Sequence, residues 1–248
     1  MIRLFHVSDV HFGREDTEAI EWFGRKVAEE QPDAIVMTGD LTMRARAREF
    51  AAAAKWLEGL GRPVTVEVGN HDLPYFNLLA RFLTPYKRYK MLERMIEKPL
   101  DVKGVSIVPL KTTARFQLRF NWSKGHVSTH ALQQSLALVE AVPAGDLIFV
   151  AAHHPLVEAG TRGTSLTRRG STALEALGAA GAHAVLSGHV HDPFDVEHRV
   201  GDRTIRLIGA GTLSERVRDQ PPSFNEIRVE GASFETVARF KGEGAVPL

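Results

Sequence analysis

The sequence predicts an α/β fold with substantially parallel strand pairing, on three observations. Short apolar runs alternate with stretches of helical periodicity, each run stops abruptly at a polar cluster, and the clusters are built from Asp, His and Asn. Alternating strand and helix patterns mark a sheet whose parallel neighbours are joined by helical crossovers. Ligands of such sheets gather at the carboxyl ends of strands, which is where all five clusters fall.

Taken in order, residues 4–7 read as a first strand, closed by Ser8-Asp9, and residues 17–30 as a helix. A second strand, 34–37, runs into Thr38-Gly39-Asp40, and a second helix covers 44–60. Residues 64–68 form a third strand, closed by Gly69-Asn70-His71-Asp72. The stretch 75–98 reads as one long helical segment rich in Lys and Arg, an edge or lid over the site. A helix over 130–142 precedes a strand at 147–152, which ends at His153-His154-Pro155. A helix at 172–181 precedes a strand at 184–186, which ends at Ser187-Gly188-His189. Runs of four to six apolar or β-branched residues bounded by Gly, Pro or Asp are the pattern of buried strands. After Asp192 the pattern turns to β, with strands at 194–200, 204–208, 223–229 and 233–240 expected to be antiparallel and to finish a second sheet. With no linker, repeat or low-complexity tract, residues 1–248 read as a single domain.

Composition narrows the chemistry. The chain has 248 residues and a formal net charge of +1, so nothing draws it as a whole toward nucleic acid or an anionic membrane. It contains no cysteine, which excludes disulfides, thiolate nucleophiles and Cys-based metal sites. Any metal must be held by His, Asp, Glu or Asn. No apolar run approaches the roughly 20 residues that span a bilayer, and the first residues turn polar too soon for a secretory signal. A cytoplasmic location is expected.

Asp9 and His11 are two apart at a strand end, so their side chains are expected on one side. His189 and His191 repeat that spacing, and Asp40, Asn70 and His153 each add a donor from another strand end. Each cluster alone has an ordinary reading: Gly-Asp is a common turn, and a lone Asp-x-His or His-x-His is usually solvated. Five in this order, each closing a strand, point to metal. Seven O and N donors are too many for one tetrahedral zinc. They suit two divalent ions if one carboxylate bridges. A pair about 3.5–4 Å apart can stabilise the attacking and leaving oxygens of a displacement at phosphorus.

Asp9-x-His11, Gly39-Asp40, Gly69-Asn70-His71-Asp72, His153-x-Pro155 and Gly188-His189-x-His191 together resemble the signature of the calcineurin-like metallophosphoesterase superfamily. Gly211-Thr212 and Pro222-Ser223-Phe224-Asn225 extend the likeness, and the tail is similar to the class III cyclic nucleotide phosphodiesterase branch. The resemblance implies a four-layer αββα sandwich, two facing mixed β-sheets flanked by helices, with the dinuclear site at the strand ends. It assigns one ion to Asp9, His11 and His191 and the other to Asn70, His153 and His189, with Asp40 bridging. It makes His71 the group that reaches the substrate phosphate or protonates the leaving oxygen, and Asp72 the group that orients it. Of the adjacent pair His153 and His154, its His-x-Pro spacing selects His153. Alternation along the strand then turns His154 away, and Pro155 holds that geometry extended.

Purple acid phosphatases of this superfamily carry a tyrosine ligand where this chain has Met43, so a tyrosinate-bound ferric ion is not expected, and Mn, Fe or Zn is. The other histidines, His6, His126, His130, His183 and His198, read as core or surface residues. Arg115, Arg119 and Lys124, interleaved with Phe116, Phe120 and Trp122, could hold a phosphate and stack a base. They read instead as half-buried strand residues with solvated charges, and the run 86–90 takes the same discount. The leading function is hydrolysis of a phosphodiester, a cyclic nucleotide or a small organic diester. The alternatives are a phosphomonoesterase acting on nucleotides or phosphoprotein, a nuclease, and a non-catalytic scaffold. A small-molecule phosphoester is the expected partner, and the oligomeric state stays open.

Overall fold

The structure, a computed structural model, describes residues 1–97, 100, 102–118, 121–218 and 220–248. Two sheets face each other. The first has the order β11-β10-β9-β1-β2-β3, and the second β4-β5-β6-β8-β7. In the first sheet β1 (Ile2–Val7), β2 (Ala34–Met37) and β3 (Val64–Val66) are parallel neighbours. On the other side of β1 run the antiparallel strands β9 (Ser223–Glu230), β10 (Ser233–Phe240) and β11 (Ala245–Pro247). In the second sheet β4 (Val105–Pro109), β5 (Leu147–Ala151), β6 (Ala184–Ser187) and β8 (Arg203–Gly209) are all parallel, and β7 (Phe194–Val200) pairs antiparallel with β8.

Alternation along the strands builds the layers. Leu4, Ala34 and Val36 of the first sheet meet Phe149, Ala151, Ala184 and Leu186 of the second in one buried core between the sheets. Their neighbours Phe5, Val7, Ile35 and Met37 face outward, onto α1 (Thr17–Glu30), α2 (Ala47–Gly59) and α4 (Lys87–Ile96). Ile148, Val150 and Val185 face the opposite way, onto α5 (Thr129–Glu140) and α6 (Gly170–Ala180). Two of these helices start on side-chain caps: Asp16 Oδ1 accepts from Ala19 N at 3.0 Å, and Ser128 Oγ accepts from Ala131 N at 3.1 Å. The result is the four-layer αββα sandwich.

Three expectations change. The C-terminal strands do not finish one sheet; β7 and β8 join the second and β9 to β11 the first. Strand β8 is parallel to β6, not antiparallel. The stretch 75–98 is two helices, α3 (Leu78–Leu83) and α4, because Pro85 cannot continue a helix and keeps Thr84 out of helical geometry. Strand β4, unread in the sequence, is an edge strand with three of its five side chains partly or fully exposed.

Candidate metal centre

The parallel strands of both sheets deliver their carboxyl ends to one edge, and the polar clusters meet there. The chain does more than continue the strands. Asp9, His11, Asp40, His189 and His191 all lie beyond the strands that carry them and adopt positive φ, at 57°, 50°, 53°, 70° and 60°. Left-handed conformations are costly for residues with a Cβ and gather where function demands them. The paired spacings therefore converge through tight turns, not through strand alternation. Glycines make room for those turns. A Cβ on Gly188 would lie 1.8 Å from Ser8 Oγ and 2.4 Å from Asp9 Oδ2. One on Gly69 would lie 2.1 Å from Asp40 Oδ1.

The donors form two overlapping sets. His191 Nε2 lies 3.0 Å from Asp9 Oδ1 and 3.3 Å from His11 Nε2. His153 Nε2 lies 3.1 Å from Asn70 Oδ1 and 3.3 Å from Asp40 Oδ2. Asp40 Oδ2 is also 3.8 Å from His11 Nε2, so this carboxylate stands between the sets, while its Oδ1 accepts the His71 N–H at 2.8 Å. His189 sits against His153, ring centroids 5.3 Å apart, and can share an ion with it.

Whether these groups suit cations can be read from their protons. His153 Nδ1 faces the Thr38 carbonyl at 2.8 Å and His191 Nδ1 faces the Arg216 carbonyl at 2.8 Å, so both Nδ1 atoms carry hydrogen. Each Nε2 then turns toward carboxylate and other acceptor atoms. Acceptors facing acceptors in a buried site call for a positive charge, and the backbone carbonyls behind the rings are the usual support of metal-bound histidine. Without an ion a proton supplies that charge. Burial by itself would lower His153, but the Asp40 charge and contact outweigh it and hold the imidazole up at about 9. His191 is raised likewise against its burial by Asp9. The two carboxyls, despite burial, are held well below the usual range by the surrounding imidazoles. Buried His189, beside His153, is lowered to about 3, a neutral ring open to an ion.

His154 is buried too, but its nitrogens are occupied, Nε2 by the Ser123 carbonyl and Nδ1 by the Thr112 hydroxyl, both at 2.8 Å. His6 is a core residue bonded to Thr38 Oγ1 at 3.0 Å, and burial lowers it to about 3.

His71 lies at the rim. Its Nδ1–H donates to the Met43 carbonyl at 2.8 Å, and its ring meets His11 edge-on at 4.9 Å between centroids. Asp72 does not hold that ring. Its carboxylate accepts from the N–H groups of Leu41, Thr42 and Gly69 at 3.2, 2.8 and 3.0 Å. The Thr42 hydroxyl, 3.0 Å from Asp72 Oδ1 and 3.2 Å from the His71 carbonyl, links it only to the His71 backbone. Burial, with Asp40 alongside, pushes Asp72 up to about 7. The expected orienting role is thus structural support for two ligand loops.

One residue escapes the sequence reading. Arg216 Nη1 lies 3.2 Å from His11 Nε2 and 3.1 Å from His71 Nε2, on the loop after β8. Because β8 runs parallel to β6, its carboxyl end opens onto the same edge as the ligands. Had 204–208 been read as parallel, this loop would have been a candidate. The Arg115–Lys124 segment also departs from expectation: its described residues form loop, not strand, and Trp122 and Ser123 line a cleft beside His71. Arg119 and Phe120 lie outside the described residues.

A four-layer sandwich with a buried His/Asp cluster of this kind defines a metal-dependent phosphoester hydrolase with a two-ion site. The calcineurin-like phosphoesterase family matches residues 2–193, and the chain belongs to it. No curated protein sequence matches the chain. Among solved structures, a dimetal phosphatase from Danio rerio superposes with a TM-score of 0.70 at 12% identity, covering 99% of this chain and 98% of its own. Purple acid phosphatase PPD1 from yellow lupin (Lupinus luteus) seeds gives 0.70 at 10% identity over 99% of this chain and 53% of that one. TT1561 of Thermus thermophilus gives 0.60 at 16% identity, covering 95% and 97%. At these identities the likeness is one of fold.

Proposed function

We propose that the protein hydrolyses a small-molecule phosphodiester, with Asp9, His11 and His191 holding one divalent ion and Asn70, His153 and His189 the other, joined by Asp40. Bound ions of the Mn, Fe or Zn kind would supply a nucleophile at neutral pH and charge stabilisation at the phosphoryl oxygens. The chain's own residues do the rest. His71, its Nδ1–H tied to Met43, presents Nε2 at the rim, where the ring in its imidazolium form can give the Nε2 proton to the departing oxygen. Arg216 places a cation beside it, within reach of a phosphoryl oxygen.

The observation that carries the diester reading is the cleft of about 850 Å³ that begins at Asn70 and His71. A diester brings two organic groups, and this cleft gives one of them a walled seat next to the proton donor. The likeness of the His-His-Pro and Gly-His-Val-His segments to the class III branch supports the same reading. Arg216 favours the second reading, a phosphomonoesterase, since a further cation offsets the extra charge of a monoester. Purified Mn-loaded protein assayed on bis(p-nitrophenyl) phosphate, p-nitrophenyl phosphate and cyclic nucleotides decides. A higher kcat/KM for the diesters is expected; clear preference for the monoester would replace the first reading with the second.

A further inference from the structure

The cleft has chemistry of its own beyond the metal donors. Away from His71 it is walled by Tyr75, Phe76 and Trp122 and closed by Arg81. Trp122 is propped edge-on by Phe82 and Phe116, at 6.2 and 5.5 Å between centroids. Tyr75 and Phe76 are 69% and 72% exposed, an unusual cost for aromatic rings unless something covers them. Guanidinium groups already pack on two of these rings, Arg44 over Phe76 at 5.6 Å and Arg81 over Trp122 at 5.7 Å.

Arg81 is the odd member. It is 3% exposed, and among the described residues no carboxylate pairs with it. Its Nε and Nη2 donate to the carbonyls of Arg115 and Ala114, both at 3.0 Å, which among the described residues leaves donors of the fork unused. Burying an unpaired charge is expensive, and its own burial lowers its pKa. A cation kept at that cost against a cleft is placed for an anion.

We propose that this cleft takes the organic group of the ester, stacking a planar aromatic body on Trp122 beside Tyr75 and Phe76, and that Arg81 reads a second anionic group on that body. The substrate class is an aromatic phosphodiester whose organic body carries a second anionic group, and Arg81 is its specificity-determining residue; nucleoside bisphosphates serve as the probes that present such a pair of anionic groups. This rests on the phosphoester-hydrolase reading and adds what the enzyme selects.

Equilibrium binding to the metal-free full chain tests it, so that the result does not depend on turnover. Calorimetric titrations compare adenosine, 5′-AMP and adenosine 3′,5′-bisphosphate. The bisphosphate should bind about tenfold or more tightly than 5′-AMP, the scale of a hydrogen bond to a charged group. Arg81→Gln should bring that ratio close to one. Asn121→Asp, an exposed change that sets a carboxylate in the same cleft, should lower the ratio as well, and answers even if Arg81→Gln does not fold. Trp122→Leu should weaken all three nucleoside ligands together. Equal affinity for the two nucleotides in the unaltered chain, or a ratio that survives Asn121→Asp, overturns the Arg81 assignment; adenosine binding indifferent to Trp122→Leu overturns the stacking. Failure of the Mn-loaded protein to cleave any ester, with the binding ratio intact, would strike the hydrolase reading alone.

Discussion

At the residue scale, His153 governs how the site answers pH. Its proton, held to about 9 in the folded metal-free chain against an ordinary 6.5, stabilises that form fully below pH 6.5. The contribution is lost as pH rises through 9. An ion must displace the same proton, so metal binding strengthens over the same interval. The Tm of metal-free protein should therefore fall between pH 6.5 and 9 while the apparent Kd for Mn tightens. Calorimetry in two buffers of different ionisation enthalpy should register proton release at pH 7.5; a metal affinity flat across that range would contradict the assignment of His153. His71 separates differently, since only its backbone N–H touches Asp40. His71→Ala should keep both ions and lose roughly 10²–10⁴-fold in rate, less for p-nitrophenyl esters than for alkyl esters. Equal losses across leaving groups would leave it no acid role. These donors were legible because each stands in a short motif. Arg216 was not, because it has no motif and only tertiary placement brings it to the rim; Trp122 stands in a basic and aromatic pattern that reads as ordinary until tertiary placement sets it beside His71.

At the scale of elements, the turns beyond the strand ends do the assembling. Gly188 shows why they tolerate no side chain: Gly188→Ala would drive a methyl into Ser8 and Asp9. It should cost about 1–3 kcal/mol of stability and disturb the Asp9–His191 centre first. Gly24, inside α1 with open space around it, is the contrast. Gly24→Ala should add about 0.5–1 kcal/mol. Denaturant titration of the two variants checks both signs. Buried strands and amphipathic helices could be read along the chain because their periods are local. The direction of β8 could not, since pairing depends on a partner elsewhere. Strand β4 was not read because Ile107 and Val108 break the period of two and its edge position leaves only Val105 and Val108 buried.

For the whole molecule, the site exists only where the sheets face each other. Asp9 and Asp40 come from the first sheet and His153, His189 and His191 from the second, so ions should tie the two halves together. Elemental analysis should find two ions per chain. Asp40→Ala should lose both more readily than Asp9→Ala, because one oxygen of Asp40, Oδ2, lies 3.8 Å from His11 and 3.3 Å from His153, between the two sets. Ions bound to the native state alone should add about 2.7 kcal/mol of stability per site at a hundredfold excess over Kd, and Tm should rise with free metal concentration accordingly. A Tm indifferent to metal would mean that the halves are already locked without it.

Strand β1 has a further consequence, for synthesis on the ribosome. It is made more than two hundred residues before β9, one of its two neighbours, with Ile2 opposite Val229. At about 5–20 residues per second, that edge waits on the order of 10–45 s for its partner. Through that wait Leu4, Phe5 and Val7 border an open row of backbone donors and acceptors, the arrangement that invites pairing with another chain. A chain stopped at residue 193 would carry all seven candidate ligands and still lack that cover. It should pellet during expression while the full chain stays in the supernatant, which makes β9 the guardian of β1.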